Sequence, residues 1–474
     1  MNVDYRTVTA VQLLVLVAYS GGLVLFALWI SRRVQGSGSF FVADRALGPG
    51  LVFSTFLAAN IGAGSIIGAS GLGYRTGISA WWWVGSAGIG SLLLAFWVGP
   101  RIWRVARDHG LYTAGDYLEE RYGSSVRAVV ASLLWVLSLV VLAAQLIAMS
   151  QILQWVLGVP QWVGAVVGGI VMTTYFAAGG LLTSAWVNMV QLVVLLTGFA
   201  IGVPLALSRA GGWNAVVAAA PPDPLYFDFW AQTGVIFFVL IVPAFIVSPG
   251  LLQKAFGARD ERALRIGIGA QGLVLLVFAM APPLVGMIAR IYAPELSSID
   301  AELAVPIVLT EGLPLVFGAL GLAAVFSAEL SSADAILFML STSLAKDIYK
   351  RYVAPEADDA RVLRVARWAA VAGGACGVLL AVVIPTVIDS LTVFYSVLSV
   401  SLFIPVVAGL HTRRAGVPEA LAAIGVGVTV LVAVRMSALG EISIWLNPTA
   451  LGIAASAVAF AVVFLMRRER SVPR

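Results

Sequence analysis

The chain has 474 residues, of which 60% are hydrophobic and 11% charged, with a net charge of +5 and one cysteine. Soluble domains carry about 25% charged residues, so the composition excludes one and defines a polytopic helical membrane protein, whose spans of about 20 residues leave no room for a separate soluble domain. Cys376 alone cannot form an intramolecular disulfide, and His109 and His411 lie far apart with no Cys/His cluster, nucleophile–base pair or phosphate-binding loop, which argues against an enzyme or an ATP-driven pump.

In chain order, the apolar pattern predicts thirteen spans near 9–31, 47–74, 79–103, 126–157, 161–178, 182–208, 231–253, 263–292, 314–345, 364–384, 386–410, 417–437 and 447–466. No cleavable signal peptide is expected, because the first segment is long, lacks a basic n-region and is followed by Arg32-Arg33. Of the 29 Lys and Arg, all but Arg6, Arg75, Arg209, Arg290 and Arg435 fall in alternate connections or the C-terminal tail. The positive-inside rule then places the N-terminus outside and the C-terminus in the cytoplasm, in a plasma membrane and for a bacterial chain the cytoplasmic membrane. The basic charge is accounted for by topology and the lipid setting, so no nucleic-acid partner is expected, and no obligate protein partner is evident.

Two spans read as broken. Asn60-Ile61-Gly62-Ala63-Gly64-Ser65-Ile66-Ile67-Gly68-Ala69-Ser70-Gly71 interrupts the second span with four glycines, and Pro243 with Ser248-Pro249-Gly250 interrupts the seventh. Unwound backbone at membrane depth survives only where it is buried in protein or lines a cavity. The breaks lie five spans apart, and an odd offset reverses the direction of the second unit, as in inverted repeats. The ninth span, LGLAAVFSAELSSADAILFMLSTSLAKDIY, is apolar yet carries Glu329 and Asp334, and membrane carboxylates mark ion or substrate paths. At about 100° per residue from Ala324, Ser327, Ala328, Ser331 and Asp334 form one stripe while Glu329 faces elsewhere. Such a stripe offers oxygens to a hard cation or simply lets helices approach closely.

The segments FFVADRALGPG…FLAANIGAGSIIGASGLGY, TAGDYLEERYG, AGGLLTSAWVNMVQ and LAAVFSAELSSAD…SLAKDIYKRY, in this order, resemble the sodium/solute symporter family, which includes proline, pantothenate, sialic acid and sugar carriers. The resemblance covers roughly residues 10 to 415. It implies an all-α, leucine-transporter-type fold: one transporter domain over 1–474, with an extra N-terminal span at 9–31, repeats at 47–208 and 231–410, and two C-terminal spans within 417–466. It implies Na⁺-coupled symport of a small organic solute by alternating access, with Na⁺ held at Ala58, Ile61, Ala324 and Ser327. In that register the next position, usually a hydroxyl, is Ala328. Asn188 stands where several members have an acid, so Ser331, Asp334, Glu329 and Asn188 become candidates for a further cation or a proton. Around the expected solute cavity the candidates are Asn60, Ser65, Trp83, Phe237 and Phe238. Ser65, Val84 and Ala87 stand where sugar carriers have polar groups, which disfavours a hexose and leaves a carboxylate or an amino acid. A proton-coupled symporter or uniporter using Glu329, or a sensor on the same fold, is the alternative reading.

Overall fold

The computed structural model describes residues 5–32, 37–231, 233–298, 300–383, 387–437 and 447–470. Positions 384 and 386, which end one expected span and begin the next, and Arg33 and Arg474 lie outside the described residues. The main helices are α1 (Tyr5–Ser31), α2 (Pro49–Asn60), α3 (Ala69–Thr76), α4 (Trp81–Leu93), α5 (Gly99–Asp108), α6 (Ala114–Tyr122), α7 (Ser124–Leu157) and α8 (Gln161–Arg209). They continue with α9 (Thr233–Val247), α10 (Pro249–Phe256), α11 (Glu261–Phe278), α12 (Ala281–Tyr292) and α13 (Leu315–Thr342). Last come α14 (Asp359–Ala381), α15 (Val387–His411), α16 (Val417–Arg435) and α17 (Pro448–Arg470). Among the described residues the β structure is limited to one isolated bridge, Leu47 to Ala258.

Eleven of the described helices are long and apolar enough to cross a membrane. The second expected span is not one helix, because its glycines divide it into α2 and α3. The fifth is the shorter apolar segment Gln161–Thr174, continuous with the sixth except for a bend at Gly180, whose φ of 56° and closeness to the Phe40 ring exclude a side chain. Helix ends follow local chemistry. Thr113 and Asp116 form a capping box on α6, Asp260 and Asp358 cap α11 and α14, and left-handed Gly158 stops α7. Exposed side chains such as Val277, Leu379 and Val383 coat the outer helices, an apolar rim suited to lipid rather than water. The chain is an integral membrane protein. α13 sits at the centre: 78% of its most apolar window is buried, against 22% for α1 and for α17.

One end of the bundle is fastened by buried polar contacts. Arg45 donates to the carbonyls of Phe256, Ala106 and Leu111 at 3.1, 3.2 and 2.6 Å, tying the segment before α2 to α10 and α5. Arg127 of α7 reaches Asp116 and Glu119 of α6 at 2.8 and 2.6 Å, and Asp347, beyond α13, at 2.6 Å. Thr113 Oγ1 donates to the same Asp347 oxygen at 2.6 Å. Removing one member of such a set strands the buried charges that remain. Arg127→Ala is therefore expected to cost about 3–5 kcal/mol, and Thr113→Val distinctly less. Thermal unfolding of the two purified variants checks this; equal melting temperatures for Arg127→Ala and the parent would refute the network's structural role.

Candidate functional site

The break between α2 and α3 creates the site. Ile61 turns extended, with φ −108° and ψ 102°, and the amides of Ser65 and Ile66 bond back to the Gly62 carbonyl at 2.9 Å. The carbonyls ahead of the break are thereby released from regular helical bonding, and side chains take them up. Ser332 Oγ lies 3.0 Å from the Ala58 carbonyl and 2.9 Å from that of Ile61. Ser331 Oγ lies 3.1 Å from the Ala58 carbonyl and 2.9 Å from that of Ala328. Ser65 Oγ donates to the Asn60 carbonyl at 2.5 Å, and the Ala63 amide donates to Gln145 Oε1 at 2.9 Å. Gly62 is required here, because a Cβ would collide with the Ser332 hydroxyl and stand 2.8 Å from Gln145 Oε1. Two carbonyls and two hydroxyls thus converge in a buried, all-oxygen setting, the donor chemistry of a hard cation.

The expected site residues divide accordingly. Ala58 and Ile61 are at the convergence, but Ala324 and Ser327 are not with them. Ser327 Oγ shares a 2.6 Å hydrogen bond with the Tyr19 hydroxyl of α1. Ala324 packs toward Gly198 of α8 and lines a separate apolar cavity of about 30 Å³. On α13 the contacts with α2 lie one turn further on, at Ser331 and Ser332, with Ser331 Oγ also bonded to the Ala328 carbonyl. The cause is a repeat: Ala324-Val-Phe-Ser327 and Ala328-Glu-Leu-Ser331 carry the same spacing.

The polar stripe itself does not face a single partner. Asp334 accepts from Ser184 of α8, and Asn188 Nδ2 lies 3.4 Å from the Ser184 hydroxyl. Asn188 Oδ1 and Asp334 Oδ1 are buried without hydrogen bonds. Glu329 is fully buried and neither carboxylate oxygen makes a hydrogen bond among the described residues. It looks toward Ala63 in the break, so it belongs to the site region rather than facing away from it.

Beside the convergence lies a cavity of about 80 Å³, lined by α2, the break, α7, α9, α10, α13 and α15. Asn60 and Ser65 line it as expected. Trp83 stands behind Gly64, its Nε1 3.4 Å from where a Gly64 Cβ would be. Phe237 packs edge-on against Trp83 at 5.1 Å, one layer further out, and Phe238 is 41% exposed on the outer surface beside Trp82. The aromatic wall is instead Phe245, Phe394 and Tyr395. Gln145 and Lys254, like Ser248, Ser332 and Tyr395, are polar lining residues that the sequence reading does not assign to the cavity. Gln145 carries a signal, as one of three glutamines, with Gln151 and Gln154, in the otherwise apolar run of α7. Lys254 reads in the sequence as one of the positive loop charges, but it is buried at 1% exposure in α10 and donates to the Thr55 carbonyl at 3.0 Å.

Membrane helices broken in two places around an oxygen-lined convergence define a transporter, and comparison with known proteins agrees. The model of the Sodium:solute symporter family matches residues 40–427, and the chain belongs to that family; it is a membrane transporter and not an enzyme. The sodium/pantothenate symporter of Escherichia coli is 28% identical over 438 residues, covering 88% of each chain. The sodium/glucose cotransporter of Vibrio parahaemolyticus is 25% identical over 403 residues, 76% of this chain and 73% of the other. Among solved structures, a Na⁺-coupled sialic acid symporter in a substrate-bound outward-open state superposes with a TM-score of 0.82 at 16% identity, over 96% of this chain and 97% of that one. Mhp1, a nucleobase-cation-symport-1 family transporter in a closed conformation, superposes with a TM-score of 0.62 at 14% identity, over 92% and 95%. The fold is therefore shared across these Na⁺- and cation-coupled carriers.

Proposed function

We infer that the protein is a secondary active transporter that couples Na⁺ entry to uptake of a small organic solute by alternating access. The observation that carries this is the approach of Ser331 and Ser332 to the Ala58 and Ile61 carbonyls at 2.9–3.1 Å. Na⁺ binds there, with the Ala328 carbonyl as a fifth oxygen, and the adjoining cavity takes the solute. Thirteen spans arranged as 9–31, two inverted repeats at 47–208 and 231–410, and a C-terminal pair within 417–466 place the paired breaks face to face. Asp334, Ser184 and Asn188 are the group best suited to a further cation, since two of their oxygens lack donors.

Ser332→Ala removes one oxygen from the cation and is expected to raise the Na⁺ concentration needed for half-maximal thermal stabilisation roughly tenfold or more. Ser327→Ala, whose partner is Tyr19, leaves it unchanged. Sodium titrations of the melting temperature in choline-balanced salt check both; a Na⁺ response that follows Ser327 instead of Ser332 would overturn the site. In proteoliposomes an inward Na⁺ gradient should then drive solute accumulation that vanishes when Na⁺ is equal on both sides.

Orientation follows from the charge asymmetry, with the C-terminus in the cytoplasm of a bacterial cell. With Cys376 replaced by Ser, Ser471→Cys is expected to react in intact cells only with membrane-permeant thiol reagents. Labelling by an impermeant reagent would invert the topology.

Proton coupling is the second reading, and the burial of Glu329 without a hydrogen-bonding partner favours giving it a hearing. An isolated carboxylate at membrane depth costs about 2.5–3.5 kcal/mol on insertion scales, a cost that function would explain. If Glu329 carries the coupling proton, Glu329→Gln abolishes accumulation driven by a pH gradient. Under Na⁺ coupling alone, the Gln variant keeps the parent's Na⁺-driven accumulation at every pH tested.

A further inference from the structure

We propose that Lys254 anchors the negatively charged end of the solute, so that this carrier takes a small organic carboxylate in preference to a neutral isostere. The proposal rests on the symport reading above and deepens it, naming a residue and a substrate class for the same cavity. Lys254 combines three properties. It is almost fully buried, it lines the central cavity, and its one hydrogen bond goes to the Thr55 carbonyl at 3.0 Å. An ammonium has three donors, and a buried cation with donors to spare is costly unless something completes its shell.

The rest of the lining has the same polarity. Asn60 is 7% exposed, and its side-chain Nδ2 donor is buried without a partner. Gly250 and Leu251, in the first turn of α10, also face the cavity, where a helix presents unpaired amides and the positive end of its dipole. The carbonyl of Asn60 and the amide oxygen of Gln145, the acceptors nearest a donor-rich solute, each already accept one hydrogen bond, from Ser65 Oγ and the Ala63 amide. Among the described residues no Asp or Glu lines the cavity. Asp334 acts on Lys254 electrostatically without a direct ion pair, and its own hydrogen bond comes from Ser184 of α8.

Charge balance gives the arrangement a purpose. Lys254 and Asp334 offset each other, so wherever Glu329 stays neutral a bound Na⁺ adds a net positive charge beside the cavity and a carboxylate cancels it. Ser332 and Gly62 belong both to the oxygen convergence and to the cavity wall, which keeps cation and anion close enough to favour each other's binding. At about 80 Å³ the cavity has space for on the order of six water molecules, which points to a solute of few heavy atoms.

The test uses the full-length purified protein and thermal stabilisation by propionate, lactate and pyruvate, each against its amide, in NaCl and in choline chloride. One or more carboxylates should stabilise the parent in Na⁺, with its amide at least tenfold weaker. Lys254→Met should lose that carboxylate response while keeping stabilisation by Na⁺ alone, and Lys254→Arg should restore part of it. Asp334→Asn should not rescue Lys254→Met, whereas rescue would make Lys254 only a counter-charge and overturn the proposal. Amides binding as well as acids, or no response to any of the three acids, also overturns it, and neither comparison depends on a variant folding. A parent that responds to Na⁺ but not to charge refutes Lys254 alone; a parent indifferent to Na⁺ refutes the symport reading as well.

Discussion

A helix interrupted at membrane depth leaves carbonyl groups that neither lipid nor the helix can satisfy, and the rest of this structure is arranged around that constraint. Because the Ser65 and Ile66 amides turn back to Gly62, Ile61 must find its donor elsewhere. It finds Ser332, which also serves Ala58. This requirement pins α13 against α2 and explains why the central helix has serines where lipid-facing helices have valine and leucine. Gly62 lets the two backbones close on each other, and Gln145 brings α7 into the same set by taking the Ala63 amide. The position of each lining helix is thus fixed by the needs of one short unwound segment.

Much of this was legible in the sequence because breaks and boundaries are written in residues with strong backbone preferences. The glycines after Asn60, and Pro249 after Ser248, mark the two interruptions. The register of α13 was not legible. Its Ala-x-x-Ser spacing occurs twice, one turn apart, and a shift of four residues rotates a helix by only about 40°, so periodicity cannot separate the two. Only contact with α2 selects Ser331 and Ser332 over Ser327. The aromatic wall failed for a related reason: Phe237 and Phe245 are both phenylalanines of α9, and only the crossing of α9 past Trp83 and α15 decides which one meets the cavity.

Buried charge separates fastening from function. Arg127 has three carboxylates within 2.8 Å, and a charge so fully matched is explained by the fold it holds together. Lys254 has one backbone acceptor and a carboxylate out of direct reach. Glu329 makes no hydrogen bond of ordinary geometry among the described residues, and its nearest polar influence is the Ala63 amide. The fold gains progressively less from each, while the cost of burying each remains. Sequence counting hides the difference, because Lys254 lies only three residues before Gly257 and reads as one more cytoplasmic charge. Its place is in α10, the helix that restarts at Pro249, where it is buried in the bundle.

Under the symport reading, coupling needs no long path through the protein. A serine hydroxyl that donates to a carbonyl can rotate and present its lone pairs instead. The oxygens of Ala58, Ile61, Ser331 and Ser332 can therefore act either as a hydrogen-bonded closure between α2 and α13 or as a ligand set for Na⁺. The two uses exclude each other at the hydroxyl protons, so ion binding replaces helix-to-helix hydrogen bonds with bonds through the cation. Asn60, one residue from the Ile61 carbonyl, and Ser65, bonded to the Asn60 carbonyl at 2.5 Å, line the solute cavity. Any adjustment of the break that suits the ion is felt at once by the solute's contacts. Ion and solute would then share one flexible segment of backbone, and each would bind the conformation that the other has already selected.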